Sequence, residues 1–149
     1  MTYNIHPIIV HFPIALLFAY SVLRILPLNK WFPRVAWDPI RQTFLALGVL
    51  GAIAALITDN IAEHIARPDH AVVEAHSTFA FATFLIYAAT AAGEVASYFN
   101  KKFPVILVIL SIAGLITVTI TGLLGGVMVY GTSADPLAPI VLKLLGITF

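Results

Sequence analysis

The 149-residue chain contains no cysteine. That excludes disulfides, thiolate metal sites, iron–sulfur ligation and covalent haem attachment through Cys-x-x-Cys-His. Charge is nearly as scarce. Asp, Glu, Lys and Arg make up 10% of the residues, where a soluble domain carries about 25%. The formal net charge is +1 and no basic cluster stands out, so nothing points to a nucleic-acid partner. No Lys or Arg precedes the first apolar run, and that run continues too far for a cleaved leader; it reads as a retained first span. No catalytic triad or phosphate loop is present, and the chain reads as no enzyme by itself, at most a carrier or a subunit of an oxidoreductase complex. The long apolar runs carry no charge at their middles, which argues against an ion-coupled pump.

What remains is apolar. Hydrophobic residues make up 60% of the chain and the mean hydropathy is +0.99, the signature of an integral membrane protein in a single domain. The length accommodates four spans of roughly 20 residues. They are expected over residues 7–27, 40–58, 71–99 and 104–130, with the tail 135–149 too short to span and lying along the interface. The fold expected is an all-α four-helix transmembrane bundle. The last span, 27 residues without a charge, is about 40 Å long and must tilt or protrude.

Lys and Arg are unevenly sorted. Arg24, Lys30, Arg34, Arg41, Lys101 and Lys102 fall where spans one to two and three to four are joined, and only Arg67 and Lys143 fall on the other side. By the positive-inside rule both termini lie outside, periplasmic in a bacterial inner membrane. All five histidines (His6, His11, His64, His70 and His76) then share the outer side, with Asp59, Glu63, Asp69, Glu74 and Asp135. Glu94 and Asp38, near the inner interface, are expected to pair with Lys or Arg.

A short echo suggests a duplicated helix pair. "NKWFP" at 29–33 resembles "NKKFP" at 100–104. Each follows an inward span with a histidine near its outer end. Such parallel repeats are related by a pseudo-two-fold axis along the membrane normal. In this scheme His11 and His76 are approximate mates on diagonal helices.

His11 and His76 are therefore the leading ligand candidates, with His6 the first substitute and His64 and His70 behind them. Two neutral imidazoles approaching from opposite sides can take the axial positions of a b-type haem, or bind copper or zinc. They can equally hydrogen-bond a neighbouring helix, with no cofactor. Gly122, Gly125 and Gly126 in "TGLLGG" lie level with them and open a close approach for a macrocycle or for another helix. His6 and His11 are five apart, about 140° around a helix, and do not share a face. Pro13 frees the carbonyl of Ile9 and is expected to bend the first helix. His70 and Glu74 form an i, i+4 pair, and a carboxylate behind an imidazole supports a ligand histidine. Ser111, Thr117, Thr119 and Thr121 are expected to bond back to their own helix.

"HPIIVHFPIALL", "VEAHSTFAFAT" and "GLLGGVMVYG" together resemble the motifs of a bacterial four-helix membrane family known as domain of unknown function 2231, over nearly the whole chain. The resemblance implies an inner-membrane bundle. Relatives occur fused to c-type cytochrome modules or beside Rieske-type proteins, which implies an association with electron transfer and a b-type haem. His6, His11, His76, Gly125 and Gly126 carry over. The family tends to place a glutamate after the third-helix histidine, where this chain has Ser77 and instead has Glu74 before it.

The function expected is electron transfer through a haem or metal site near the periplasmic face, exchanging with membrane quinone or a periplasmic redox protein. The alternatives are a structural or assembly subunit of a larger complex or homo-oligomer, and a periplasm-facing copper or zinc binder.

Overall fold

The computed structural model describes residues 6–63, 70–100, 104–133 and 135–147. Among the described residues six helices follow one another: α1 (His6–Ile25), α2 (Leu28–Trp31), α3 (Trp37–Glu63), α4 (His70–Asn100), α5 (Pro104–Tyr130) and α6 (Ala138–Leu144). No strand occurs among the described residues. Four of the helices are long and apolar enough to cross a membrane: the segments Ile8–Ile25, Trp37–Thr58, His70–Phe99 and Pro104–Tyr130. α3 runs on past the expected end at residue 58, so the backbone of Asp59 and Glu63 belongs to a helix rather than to a loop. His64, Arg67, Asp69, Lys101 and Lys102 lie outside the described residues.

The long helices form a ring in chain order. α1 packs on α3 and α5, α4 packs on α5 and, more sparsely, on α3. α1 and α4 therefore occupy one diagonal and α3 and α5 the other. Buried positions recur in alternating steps of three and four residues, as at Leu107, Ser111, Gly114, Val118 and Thr121 of α5. That is the seam of a left-handed bundle with knobs-into-holes packing.

Close approach inside each pair depends on missing side chains. A Cβ at Gly48 of α3 would lie 2.5 Å from the Leu17 side chain, and one at Gly114 of α5 would lie 2.7 Å from the Tyr87 ring. α1 stays helical through Pro13. The proline ring is accommodated at Gly51, where a Cβ would lie 3.1 Å from it.

Polar side chains on the long helices are absorbed locally, as the sequence suggests. Ser111, Thr117, Thr119 and Thr121 donate to the carbonyls of Leu107, Gly114, Leu115 and Thr117 at 2.7–3.2 Å. α6 does not lie apart from the bundle. It buries Ala138 and Leu142 against Val72, Leu123, Leu124 and Val127, capping the end where α4 begins and α5 stops.

Candidate metal centre at the histidine end

α1 and α4 begin at the same end of the bundle, and each brings a histidine to its inward face. His6 and His76 line one cavity, together with Val10, Pro13, Thr83 and Thr121. His76 is buried, 7% exposed. Its Nδ1 lies 3.1 Å from the carbonyl oxygen of Thr121. A carbonyl only accepts, so Nδ1 carries the proton and Nε2 of the neutral ring carries the lone pair. Gly125, one turn after Thr121, makes this contact possible: a Cβ there would lie 3.3 Å from Cε1 of the imidazole.

His6 is held in the same way by the partner pair. Its Nδ1 lies 2.9 Å from the Thr58 hydroxyl. That hydroxyl directs its single proton to the carbonyls of Ala54 and Ala55, at 3.1 and 3.0 Å. His6 Nδ1–H is then the donor, and the lone pair again falls on Nε2. A bond from one ring nitrogen to a carbonyl or hydroxyl is how metal-binding imidazoles are oriented. Thr121 gives its proton to its own helix, so Thr83 donates across the 3.2 Å between their hydroxyls.

His11 lies elsewhere. It is on the exposed face of α1, between Ile8 and Phe12, which are 78% and 56% exposed. The five-residue offset turns His11 away from the cavity, so it is His6 that shares that cavity with His76. His70 and Glu74 are exposed on the first turns of α4, and the bond that orients His76 goes to the Thr121 carbonyl rather than to that carboxylate. Of the three glycines, Gly125 lies against His76. Gly122 faces Ile14 at ordinary contact distance, and a Cβ at Gly126 would meet nothing within 4 Å.

The cavity volume is about 60 Å³. A water needs roughly 10–15 Å³ measured in this way, so it holds a few waters or a small ion. Pockets that enclose ligands of drug size run to roughly 300–1,000 Å³. As packed, the cavity is smaller than such pockets, and two imidazoles stand on an otherwise largely apolar wall. No group of three His, Asp or Glu capable of holding a metal occurs among the described residues.

The same diagonal closes differently at its other end. Tyr20 and Tyr87, both fully buried, meet edge to face with centroids 6.3 Å apart. The Tyr87 hydroxyl donates to the Leu17 carbonyl at 3.1 Å and accepts from Ser21 at 2.8 Å. Tyr20 donates to Glu94 at 2.8 Å, and Arg24 lies 3.4 Å from the same oxygen. Arg41 donates to the Leu23 carbonyl and to Asp38, each at 3.0 Å. Both acids thus pair with arginines, as their positions in the sequence suggest.

These features define a four-helix membrane bundle with paired imidazoles at one end and an ion-pair clasp at the other. The chain belongs to the family described as Predicted membrane protein (DUF2231), which it matches over residues 2–135. No curated protein and no solved structure matches it.

Proposed function

We propose that this protein is a membrane-embedded metal-binding protein whose ion is held between His6 and His76. The observation that carries the reading is the convergence of two imidazoles from diagonal helices on one cavity, each bonded through Nδ1 to the neighbouring helix. Imidazole donors suit copper, zinc and iron. A copper ion would supply one-electron chemistry there, and zinc would not. The residues do the rest: Thr58 and Thr121 fix the tautomers, Gly125 admits the ring, and Pro13 and Val10 keep the wall apolar.

The Lys and Arg asymmetry supports placing the histidine end on the outer face of a bacterial inner membrane, within reach of a soluble redox partner. The chain lacks cysteine, so a single Ser133→Cys variant reports this directly. A membrane-impermeant maleimide added to intact spheroplasts should label it, and protection until lysis would reverse the orientation.

The metal reading is tested on protein purified in nanodiscs. Elemental analysis and titration with Cu(I), Cu(II) and Zn(II) should show one equivalent bound. Binding should be lost in His6→Ala and His76→Ala and kept in His11→Ala. Failure to retain or take up any metal would overturn the reading and favour a structural subunit. A reducible Soret band in the purified protein would overturn it in favour of a b-type haem.

A further inference from the structure

A cleft larger than the histidine cavity lies far from the histidines. Between α3 and α4, the helix neighbours that pack most sparsely, a cleft of about 370 Å³ is lined by Gln42, Ala46, Ala91, Glu94, Tyr98 and Phe99. Its volume falls within the roughly 300–1,000 Å³ of small-molecule sites. All of these residues belong to segments long and apolar enough to cross a membrane. The lining is mainly apolar, and Gln42 of α3 and Glu94 of α4 bring an amide and a carboxylate to it from the two walls. Tyr98 and Phe99, 76% and 75% exposed, meet edge to face with centroids 5.4 Å apart and offer ring surface beside it.

Glu94 decides the chemistry. Its two interior contacts, from Tyr20 and from Arg24, both fall on Oε1. A carboxylate accepts on both oxygens, which leaves Oε2 for a donor in the cleft. Arg24 already supplies a cationic partner on Oε1, so the donor that suits the second oxygen is a neutral hydroxyl. A phosphate diester brings only acceptors and has no proton to donate to it. An ionisable group inside a membrane, aimed at a cavity, marks a functional site.

We propose that this cleft binds a lipid-soluble hydroquinone, one ring hydroxyl donating to Glu94 Oε2 and the second bonded to the Gln42 amide. The aromatic ring lies against Tyr98 and Phe99 and the tail runs out between α3 and α4. The site does not rest on the metal reading. Eighteen residues of α4, about 27 Å, separate Glu94 from His76.

The test is photolabelling in nanodiscs of phosphatidylethanolamine and phosphatidylglycerol with an arylazido decyl-hydroquinone, mapped by mass spectrometry. Label should concentrate on residues 42–46 and 91–99 and be competed by unlabelled decyl-hydroquinone. Ala46→Trp, which fills the cleft from its exposed side, should lower labelling at least tenfold. Gln42→Ala and Glu94→Gln should each lower it several-fold. If Glu94→Gln fails to fold, Ala46→Trp alone decides. Labelling spread evenly along lipid-facing helices, labelling unchanged in Ala46→Trp, or equal competition by diacylglycerol would overturn the proposal.

Discussion

The two ends of the α1–α4 diagonal solve the problem of polar groups in a membrane in opposite ways. At the arginine end the groups bond across the diagonal itself: Tyr20 and Arg24 both meet Oε1 of Glu94, and Tyr87 ties Ser21 to the backbone of α1. At the histidine end each imidazole is bonded outward, to the second helix of its own pair, and the two rings flank a cavity. A clasp buries its charges against each other and contributes to stability. A cavity flanked by two imidazoles contributes little to stability and leaves room for a small guest. The difference lies in what each end is bonded to: its own diagonal at the arginine end, the neighbouring helices at the histidine end.

The sharpest way to break this comparison is Glu94→Ala. It removes the acceptor of Tyr20 and leaves the Arg24 guanidinium in a low-dielectric interior, where loss of one partner costs roughly 3–5 kcal/mol. His76→Ala should cost about 1–2 kcal/mol, the value of a hydrogen bond and some packing. Denaturant unfolding in detergent compares the two, and equal losses would erase the division of roles. Gly48→Val should fall between them. Its Cβ would enter the Leu17 side chain, and overpacking of this kind costs roughly 1–3 kcal/mol. Gly125→Ala should have the smallest effect on unfolding. The added methyl moves the His76 ring by a few tenths of an ångström, so metal affinity should drop on the order of tenfold while the unfolding midpoint barely moves. A shift in the midpoint with unchanged affinity would make Gly125 a packing residue.

The four long helices were legible from hydropathy alone, because lipid tolerates few alternatives to a 20-residue apolar helix. The ends were less so. α3 continues through Glu63 because polar residues beyond an interface remain good helix formers, and hydropathy cannot register them. Depth along the span matches His11 with His76, but rotation around α1 is what puts His6 on the wall of the cavity that His76 lines. A signal was available in the repeated loop motif: His6 precedes Lys30 by 24 residues and His76 precedes Lys101 by 25. His11 breaks that register by five. The anchors Thr58 and Thr121 carried no separate signal, since threonines that bond back to their own helix are indistinguishable in sequence from those that also hold an imidazole. The cleft between α3 and α4 was invisible, because it arises from how far two helices stand apart.

The register that matches His6 with His76 also matches Arg24 with Glu94, each pair 70 positions apart. The loop echo itself is offset by 71, so these positions sit one off its register, and they hold opposite charges. Two copies of the first hairpin, assembled as the two halves are, would bring arginine against arginine in an apolar interior. The two halves are therefore electrostatic complements and not interchangeable copies.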